Sequence, residues 1–302
     1  MNKNKLIVIV GPTAVGKTTT SIALAQVFKG EIISADSRQF FKELEIGTAK
    51  PSSDELALIP HHFINSHSIV QQYDVGEFEH DVIDLLDNKF KDHDCMFLVG
   101  GSGLYVNAIC DGLDEFPTID KSIRDQLNIQ LVEEGLEALV LKLHDLDPVY
   151  AKSVDLKNPQ RVIRALEVSI STGHPFSTFR KSQKVERSFD IIKIGLEMER
   201  PELYERIDQR MDQMIIDGLF EEAIRFRDKR HLNALQTVGY KEIFGYLNDE
   251  YDKEEAIRLL KRNSRRYAKR QLTWFKKDPI TQWFKPGDLD GIRKYLRHKI
   301  SE

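Results

Sequence analysis

Gly11-Pro12-Thr13-Ala14-Val15-Gly16-Lys17-Thr18 fits the phosphate-loop (P-loop) pattern G-x-x-x-x-G-K-[S/T]. It follows the apolar run Leu6–Val10, which predicts a buried strand, and it opens Thr18–Phe28, which predicts a helix. In this setting, glycines let backbone N–H groups close around phosphate oxygens, and the helix N-terminus adds partial positive charge. Lys17 supplies a mobile cation, and Thr18 supplies a hydroxyl for Mg²⁺. We therefore interpret the loop as a site for a di- or triphosphate rather than an ordinary glycine-rich turn.

Short apolar runs alternate with helical patterns in the N-terminal third of the chain, which indicates a parallel α/β sheet. Glu31–Ala35 predicts a second strand and Val75–Phe90 a helix. Cys95–Val99 predicts a third strand, which runs into Gly100-Gly101-Ser102-Gly103. The expected fold class is α/β, with a parallel sheet core like that of P-loop NTPases.

The pattern changes after the third predicted strand. Over Ile119–Ser171 the helical period dominates, and Thr172-Gly173-His174-Pro175 is a helix stop. Asp190–Leu196 predicts a return to the sheet, and Pro201–Trp274 is mostly helical in pattern. These observations predict an all-helical insertion domain within the core. The expected parts are residues 1–112 (first part of the core), 113–185 (insertion) and 186–302 (second part of the core, with a C-terminal basic helix).

Composition limits the class of protein. With 302 residues, 41% of them hydrophobic, the chain can bury a core. We expect no membrane span, because no apolar run approaches the ~20 residues that one needs. Met1–Lys5 leads directly into an apolar strand, so we expect no signal or transit peptide. The two cysteines form no CxxC pair, which argues against a disulfide scaffold or a cysteine zinc site. We expect a soluble, cytoplasmic monomer.

The charge is unevenly distributed. Residues 258–277 contain nine Lys or Arg and no Asp or Glu, although the whole chain carries −4. A basic element on an acidic body suggests a polyanionic partner. Helical spacing predicts a packed stripe of Ile257, Leu260, Ser264, Tyr267, Gln271 and Trp274. It puts Arg258, Arg262, Arg265 and Lys269 on an adjacent face that is available for phosphates. The alternative is a face that is only solvated or that pairs with acidic residues elsewhere.

The residues leave the phosphate chemistry open. The run Met96–Val99 ends in glycines rather than in a Walker-B Asp, and Asn88-Lys89 does not continue as a guanine-reading Asn-Lys-x-Asp motif. Asp36 follows the second predicted strand, whose carboxyl end shares a sheet edge with the P-loop. Asp36 is a candidate general base beside the phosphate site. Its alternative roles are a helix N-cap or a Mg²⁺ ligand acting through water.

Several motifs resemble one family. Ser34-Ala35-Asp36-Ser37-Arg38-Gln39 and Ile46-Gly47-Thr48-Ala49-Lys50-Pro51 are similar to the signature of tRNA dimethylallyltransferases (tRNA isopentenyltransferases). The resemblance continues in order through Pro60–His62, Val99–Tyr105, Asn158–Val168, Arg206–Met211, Val238–Lys241 and Lys269–Trp274. The chain lacks the cysteines of the C-terminal zinc finger that eukaryotic relatives often append, so it resembles the bacterial form.

The resemblance implies an activity, a donor and a reaction centre. The family transfers a dimethylallyl group from dimethylallyl diphosphate to N6 of the adenosine just 3′ of the tRNA anticodon (position 37). The loop Gly11–Thr18 would then hold the donor's diphosphate, with Mg²⁺ and no organic cofactor. Asp36 would be the base acting on the exocyclic amine. Arg210 and Thr13 would join Lys17 and Thr18 on the diphosphate.

The resemblance also implies tRNA contacts. Gly100–Tyr105 would border the channel that receives the extruded adenine, with Ser102 and Arg124 as tRNA contacts. The further implied contacts are Asp36, Ser37, Arg38 and Gln39; Gln160, Arg161, Val162, Ile163 and Arg164; Gln236, Thr237, Val238, Gly239, Tyr240 and Lys241; and Lys269, Arg270 and Trp274. Many members have Val-Tyr where this chain has Phe40-Phe41, and Thr where it has Ser102.

Three other functions remain as alternatives. A small-molecule kinase shares the P-loop and could use Asp36 as the acceptor's base. An isopentenyltransferase that acts on free adenine nucleotides shares the donor, but it needs neither an insertion nor a basic helix. An RNA-binding, ATPase-like switch would bind RNA without changing it covalently.

A few conspicuous residues have structural interpretations. His61-His62 lacks a third ligand at metal-site spacing and is expected in a loop. Trp274 and Trp283 are expected to pack in the core more readily than to stack on bases, and Cys95 is expected in a buried strand.

Overall fold

The computed structural model describes residues 4–117, 119–180 and 184–302. The expectation of no signal or transit peptide rested partly on Met1–Lys3, and these three residues lie outside the described ranges. A six-stranded parallel sheet forms the centre, in the order β3-β2-β4-β1-β5-β6. The strands are β1 (Lys5–Val10), β2 (Ile32–Ser34), β3 (His61–His62), β4 (Cys95–Gly100), β5 (Asp190–Leu196) and β6 (Gln282–Phe284).

Helices connect the strands and cover the sheet. Those of the sheet unit are α1 (Lys17–Phe28), α2 (Ser53–Leu58), α3 (Val75–Lys89), α4 (Gly103–Asp111), α9 (Arg200–Ile216), α10 (Leu219–Arg225), α11 (Tyr240–Leu247), α12 (Lys253–Phe275) and α13 (Leu289–Ser301). Between β5 and β6 the chain is helical, and the parallel α/β fold expected from the sequence is confirmed.

Both faces of the sheet are buried. Along β1, Ile7 and Ile9 belong to one apolar cluster, whereas Leu6, Val8 and Val10 belong to another. All five side chains are buried. Alternation between two buried faces explains why this strand is a continuous apolar run rather than an alternating one.

The chain divides into two compact units, Met1–Cys110 with Glu186–Glu302, and Asp111–Val185. The second unit holds the helical segment that was expected over 113–185. Its helices are α5 (Lys121–Leu146), α6 (Pro148–Ala151), α7 (Pro159–Thr172) and α8 (Phe176–Phe179).

The second unit has its own core. Helix α5 packs against α7, and its axis is kinked at Gly135, whose φ is 84°. Buried apolar side chains such as Leu139 and Leu166 form the core. Asp147 is fully buried and accepts hydrogen bonds from the backbone N–H groups of Tyr150 (2.9 Å) and Ser177 (2.6 Å). These bonds offset the cost of burying the carboxylate.

Three features differ from the sequence expectations. His61-His62 forms the edge strand β3 rather than a loop, and His62 Nε2 lies 2.7 Å from Glu31 Oε2. Strand β6 and helix α13 were not predicted. Two or three residues are too few to show a period, so β3 and β6 carry no local signal.

In the part of the chain that the structure describes, no helix combines the length and the apolar character needed to cross a bilayer.

Candidate active site

The P-loop joins β1 to α1 in a backbone conformation that requires glycine. A Cβ on Gly11 would lie 2.7 Å from the carbonyl oxygen of Leu196, so no side chain fits there. Gly16 has φ 101° and precedes the first residue of α1 without a side-chain cap. The first N–H groups of α1 are therefore open to an anionic ligand.

Lys17 folds back over the loop. Its Nζ donates hydrogen bonds to the carbonyl oxygens of Gly11 (3.0 Å) and Pro12 (2.8 Å). Burial lowers the pKa of Lys17 to about 8; the carboxylate of Asp36 opposes this shift, and Arg210 adds to it. A diphosphate would replace these carbonyl oxygens as the partner of the ammonium group and favour its charged form.

Helix α9 brings two arginines to the loop. Arg210 Nη1 donates to Thr13 Oγ1 at 3.3 Å, and burial lowers the pKa of Arg210 while Asp36 opposes that shift. One helical turn earlier, Arg206 Nη2 lies 3.9 Å from where a Cβ on Gly16 would stand. Arg206 is thus a second cation beside the P-loop.

Asp36 lies two residues past the end of β2. Its Oδ1 accepts the N–H of Arg38 at 3.0 Å, and its carbonyl accepts the N–H of Gln39 at 3.3 Å. The carboxylate thus closes a turn over residues 37–40 and does not cap a helix, which was one of its expected alternative roles. It also lies near enough to Lys17 and Arg210 to affect the pKa of each. Its position beside the phosphate site leaves the role of general base open to it.

Ser102 and Tyr267 connect this turn to other elements. Ser102 Oγ accepts the N–H of Ser37 at 3.0 Å and donates to Ser37 Oγ at 3.2 Å. The hydroxyl of Tyr267, on α12, shares a hydrogen bond with Ser102; burial raises the pKa of Tyr267 to about 12, and the charge of Asp36 adds to the shift. Tyr267 therefore stays protonated beside the candidate base.

The glycines after β4 admit side chains of α12. A Cβ on Gly101 would overlap the side-chain amide of Gln271, and one on Gly103 would overlap the Trp274 ring. Trp274 is nevertheless 39% exposed, so core packing was the wrong expectation for it. Trp283 is partly buried, and its ring would be 2.5 Å from a Cβ on Gly195. Glycine at positions 101 and 103 thus lets side chains of α12 pack directly against the backbone of this turn.

A buried glutamate shapes the loop that faces the P-loop. Glu222 accepts the backbone N–H groups of Glu45, Ile46 and Gly47 at 2.9–3.0 Å and the hydroxyl of Tyr240 at 2.5 Å. Burial raises the pKa of Tyr240, and Glu222 adds to the shift. Tyr240 is fully buried, so the expected tRNA contact of its side chain is corrected to a structural one.

Gln39 also uses its side chain within the protein. Its Oε1 accepts from Ser34 Oγ at 2.9 Å, and its Nε2 donates to the carbonyl oxygens of Thr48 and Ala49. These bonds hold the Thr48–Ala49 segment against the end of β2. The Gln39 side chain therefore orders the edge of the cleft.

The expected tRNA contacts in the second unit divide by exposure. Gln160, Arg161 and Arg124 are exposed and Arg164 is partly exposed. Val162 and Ile163 are fully buried in the core of that unit, so their side chains support the surface rather than contact RNA.

Helix α12 is less free to bind phosphate than its sequence indicates. Four of the nine cations in residues 258–277 form ion pairs at 2.6 Å: Arg258 with Glu255, Lys261 with Asp212, Arg265 with Asp208 and Lys276 with Glu197. Arg258 and Arg265, which were expected to be available for phosphates, are thus already paired with carboxylates, Arg258 at an exposed position and Arg265 at a partly buried one. On α12, Arg262, Arg266, Lys269 and Arg270 form no ion pair within the described residues, and we refer to these four as the basic face. Lys277, two residues after α12, is likewise without an ion pair there.

Two cavities meet at the candidate reaction centre. The first, about 430 Å³, is lined by the P-loop and by Asp36, Arg206 and Arg210. The second, about 210 Å³, also contains Asp36 and Arg210, but its other walls include the apolar side chains of Met211, Met214, Leu219, Val238 and Leu260. A polar site for an anion thus adjoins, across one carboxylate, a second site whose walls are partly apolar.

The remaining expected residues take positions around these cavities. Thr237, Val238 and Gly239 line the second cavity. Gln236 and Lys241, which flank this segment of the chain, are exposed. Sequence reasoning missed Glu222 and gave Arg206 no role beyond its place in the motif Arg206–Met211. It assigned Tyr267 only to a packed stripe, and Gln271 to that stripe and to the motif Lys269–Trp274. The spacing of Arg206, four residues before Arg210, was a usable signal.

Thr18 lines the first cavity at the start of α1. Within residues 4–117, 119–180 and 184–302, no group of three or more His, Cys, Asp or Glu side chains could hold a metal ion. A hydroxyl with a bound diphosphate fits the preference of Mg²⁺ for few protein ligands plus phosphate oxygens.

Known proteins resemble this chain over nearly its full length. The family model for IPP transferase matches residues 39–278. The chain is 52% identical to the tRNA dimethylallyltransferase of Christiangramia forsetii over 299 residues, and the match covers 99% of both chains. It is 50% identical to the tRNA dimethylallyltransferase of Cytophaga hutchinsonii, covering 98% of both.

Solved structures agree. The tRNA isopentenylpyrophosphate transferase of Bacillus halodurans superposes with a TM-score of 0.74 at 39% identity, covering 99% of this chain and 97% of that one. A eukaryotic dimethylallyltransferase acting on tRNA superposes with a TM-score of 0.78 at 26% identity, covering 95% of this chain and 75% of that one. The family expected from the sequence is confirmed: this chain belongs to the IPP transferase family, which includes the tRNA dimethylallyltransferases.

Proposed function

We propose that this chain transfers a dimethylallyl group from dimethylallyl diphosphate to N6 of the adenosine at position 37 of tRNA. The observation that carries the proposal is the meeting of two cavities at Asp36, one lined by the P-loop and two arginines and the other walled in part by a cluster of apolar side chains. The donor has the same two parts, a diphosphate and a short hydrocarbon.

The P-loop stabilises the leaving group. As the bond between C1 of the donor and its bridging oxygen breaks, the electron pair moves to the diphosphate. The N–H groups of the first turn of α1, Lys17 and Arg210 surround the site where that charge develops. Donors and cations that are fixed in advance at such a position are a main source of catalytic power.

Asp36 accepts the proton. The exocyclic amine of adenine is a weak nucleophile, because its lone pair is delocalised into the ring. Bond formation between N6 and C1 makes the nitrogen acidic, and Asp36 removes one of its protons as general base. Tyr267 lines both cavities beside Asp36, where it stays protonated and hydrogen-bonded to Ser102.

The apolar cavity holds the dimethylallyl group. Met211 and Met214 lie one turn apart on α9, immediately after Arg210, so one helix contributes both to the diphosphate site and to the hydrocarbon site. Enclosure by these side chains keeps water away from carbon atoms that gain cationic character. Water would otherwise compete with the amine.

We include Mg²⁺ in the proposal. The Thr18 hydroxyl and the donor's diphosphate oxygens would hold it, and it would supply further positive charge for the leaving group. The residues of the chain perform the remaining steps.

The basic face of α12 binds the RNA backbone. An adenosine within an anticodon loop must leave the base stack, at a cost of a few kcal/mol. Contacts to neighbouring phosphates offset that cost. The basic face lies on the same helix as Tyr267, which reaches the reaction centre. We further propose dimethylallyl diphosphate as the physiological donor and the cytoplasm as the location, with a monomer as the working unit.

The experiment offers the protein a choice of substrates. Purified protein with Mg²⁺ is incubated with an unmodified tRNA anticodon stem-loop or with free AMP, each with dimethylallyl diphosphate or with ATP. Mass spectrometry of the nucleosides should find a dimethylallyl group on adenosine only with the stem-loop and dimethylallyl diphosphate. Modified AMP would favour a free-nucleotide prenyltransferase. ATP turnover without prenylation would contradict the proposal in favour of a kinase or an ATPase-like switch.

A further inference from the structure

Gln271 joins two loops that come from different strands of the sheet. Its Oε1 accepts the backbone N–H of Thr13 at 2.8 Å, and its Nε2 donates to the carbonyl oxygen of Gly101 at 3.0 Å. The side chain is buried, with 6% of its surface exposed. Thr13 belongs to the P-loop after β1, whereas Gly101 belongs to the turn after β4.

An amide can make both bonds at neutral pH, whereas a charged side chain of similar length cannot. The group must accept from an N–H on one side and donate to a C=O on the other; a carboxylate only accepts, and an ammonium only donates. The site is also shaped for this side chain, because a Cβ on Gly101 would overlap the amide nitrogen.

Thr13 is held from a second direction. Arg210 donates to its hydroxyl, so α9 fixes the side chain of Thr13 while α12 fixes its backbone. Thr13 lines both cavities. A shift of this residue would therefore move the wall of the anion site together with that of the apolar site.

The same helix contacts the acceptor side of the reaction centre. Tyr267 lies one turn before Gln271 and shares a hydrogen bond with Ser102, which in turn binds Ser37 beside Asp36. One face of α12 thus contacts both the donor loop and the segment that carries the base.

We propose that Gln271 is a positioning residue that sets the P-loop at a fixed distance from the turn after β4, and so aligns the diphosphate donor with the base-bearing segment. This inference rests on the proposed transfer reaction. It concerns alignment, because Gln271 acts through Thr13 and Gly101. A displacement of about 1 Å in a reacting group can cost on the order of 100-fold in rate.

The test compares Gln271→Met with Gln271→Glu. Methionine keeps the length of the side chain but makes neither bond, so single-turnover transfer should fall at least about 10-fold. A protonated glutamic acid makes both bonds and an ionised one makes only the first. The rate of Gln271→Glu relative to the wild type should therefore rise several-fold between pH 8 and pH 5.5, while the relative rate of Gln271→Met stays constant.

The ratio to the wild type cancels any pH effect that the two proteins share. The charged and titratable side chains that face the same cleft are Lys17, Asp36, Lys50, Glu55, Arg206, Arg210 and Tyr267. Asn263→Ala is the matched control. Asn263 is a partly buried amide on the same helix, but it bonds to Glu242 on α11 at 2.7 Å. It should leave the rate within about twofold of the wild type, and melting temperatures of all variants report folding.

A rate for Gln271→Met within twofold of the wild type would overturn the inference, as would a pH-independent ratio for Gln271→Glu. Isothermal titration with inorganic diphosphate separates this failure from failure of the proposed function. If the wild type transfers nothing, the proposed function fails. The positioning role then still predicts weaker diphosphate binding in Gln271→Met than in Asn263→Ala, and equal binding would overturn it.

Discussion

Arg265 Nη1 lies 2.6 Å from both carboxylate oxygens of Asp208, which ties helix α12 to helix α9. One turn further along α9, Asp212 pairs with Lys261 in the same way. The acidic residues of α9 thus neutralise one side of α12, while Arg206 and Arg210 of α9 serve the P-loop. The cations left for an RNA partner are those of the basic face.

Charge reversal should separate these two groups of cations. Arg266→Glu with Lys269→Glu should weaken tRNA binding and flatten the slope of log affinity against log salt by roughly 0.7–0.9 for each phosphate that the variant no longer neutralises. Arg265→Glu should instead place two carboxylates together and lower the melting temperature. Lys294→Glu with Arg297→Glu, at exposed positions on α13, makes the same charge change elsewhere and is the control for the double variant. An unaltered salt slope in the double variant would show that the basic face does not bind RNA.

Lys17 should make donor binding depend on pH. Burial holds the pKa of Lys17 at about 8 in the free protein, so the ammonium is charged below that pH and neutral above it. Because the charged form binds the anion, affinity for inorganic diphosphate should fall as the pH rises through 8. Calorimetric titrations with inorganic diphosphate between pH 7 and 9.5 measure this affinity. Lys17→Arg should remove the pH dependence, since arginine stays charged. If the affinity of Lys17→Arg declines in the same way, a group other than Lys17 causes the decline.

Asp36→Asn should slow chemistry with little effect on binding. The amide oxygen can still accept the N–H of Arg38, which preserves the turn, but the amide cannot take a proton from N6. The single-turnover rate should drop by about 10²–10⁴, with tRNA and diphosphate affinities within a few-fold of the wild type. Asp36→Ala, which also loses the turn, should reduce thermal stability as well. An unchanged rate in Asp36→Asn would leave Asp36 only its structural role.

Glu222 should matter for stability rather than for RNA binding. The variant Glu222→Gln leaves at least one of the three backbone N–H groups without an acceptor, because an amide has one oxygen instead of two. This should lower the free energy of unfolding by about 1–3 kcal/mol. Urea denaturation measures the loss. Glu221→Gln, a substitution at the neighbouring exposed position, should leave the free energy of unfolding unchanged. Equal stabilities of the two variants would contradict this role for the buried carboxylate.

The features that were predictable from sequence have local signals. The P-loop, β5 over Asp190–Leu196 and the helix stop at Gly173 depend on residues that are neighbours in the chain. The position of Asp36 at the same edge as the P-loop follows from parallel topology. Each of these requires no knowledge of which distant segments pack together.

The features that were missed depend on distant partners. Glu222 binds N–H groups more than 170 residues away, and Gln271 binds Thr13 across 258 positions. Arg265 is neutralised by a residue 57 positions earlier, which the local charge count could not include. Hydrophobic periodicity records that a side chain is buried, but it does not record what a buried polar group bonds to.

The central claim is tested most directly with anticodon stem-loops that differ only at position 37. One carries adenosine and the other carries purine riboside, which lacks the exocyclic amine. With dimethylallyl diphosphate and Mg²⁺, mass spectrometry should find one dimethylallyl group on the adenosine stem-loop and none on the other, and Asp36→Asn should slow that transfer. Equal modification of both stem-loops, or of neither by the wild-type protein, would contradict the account.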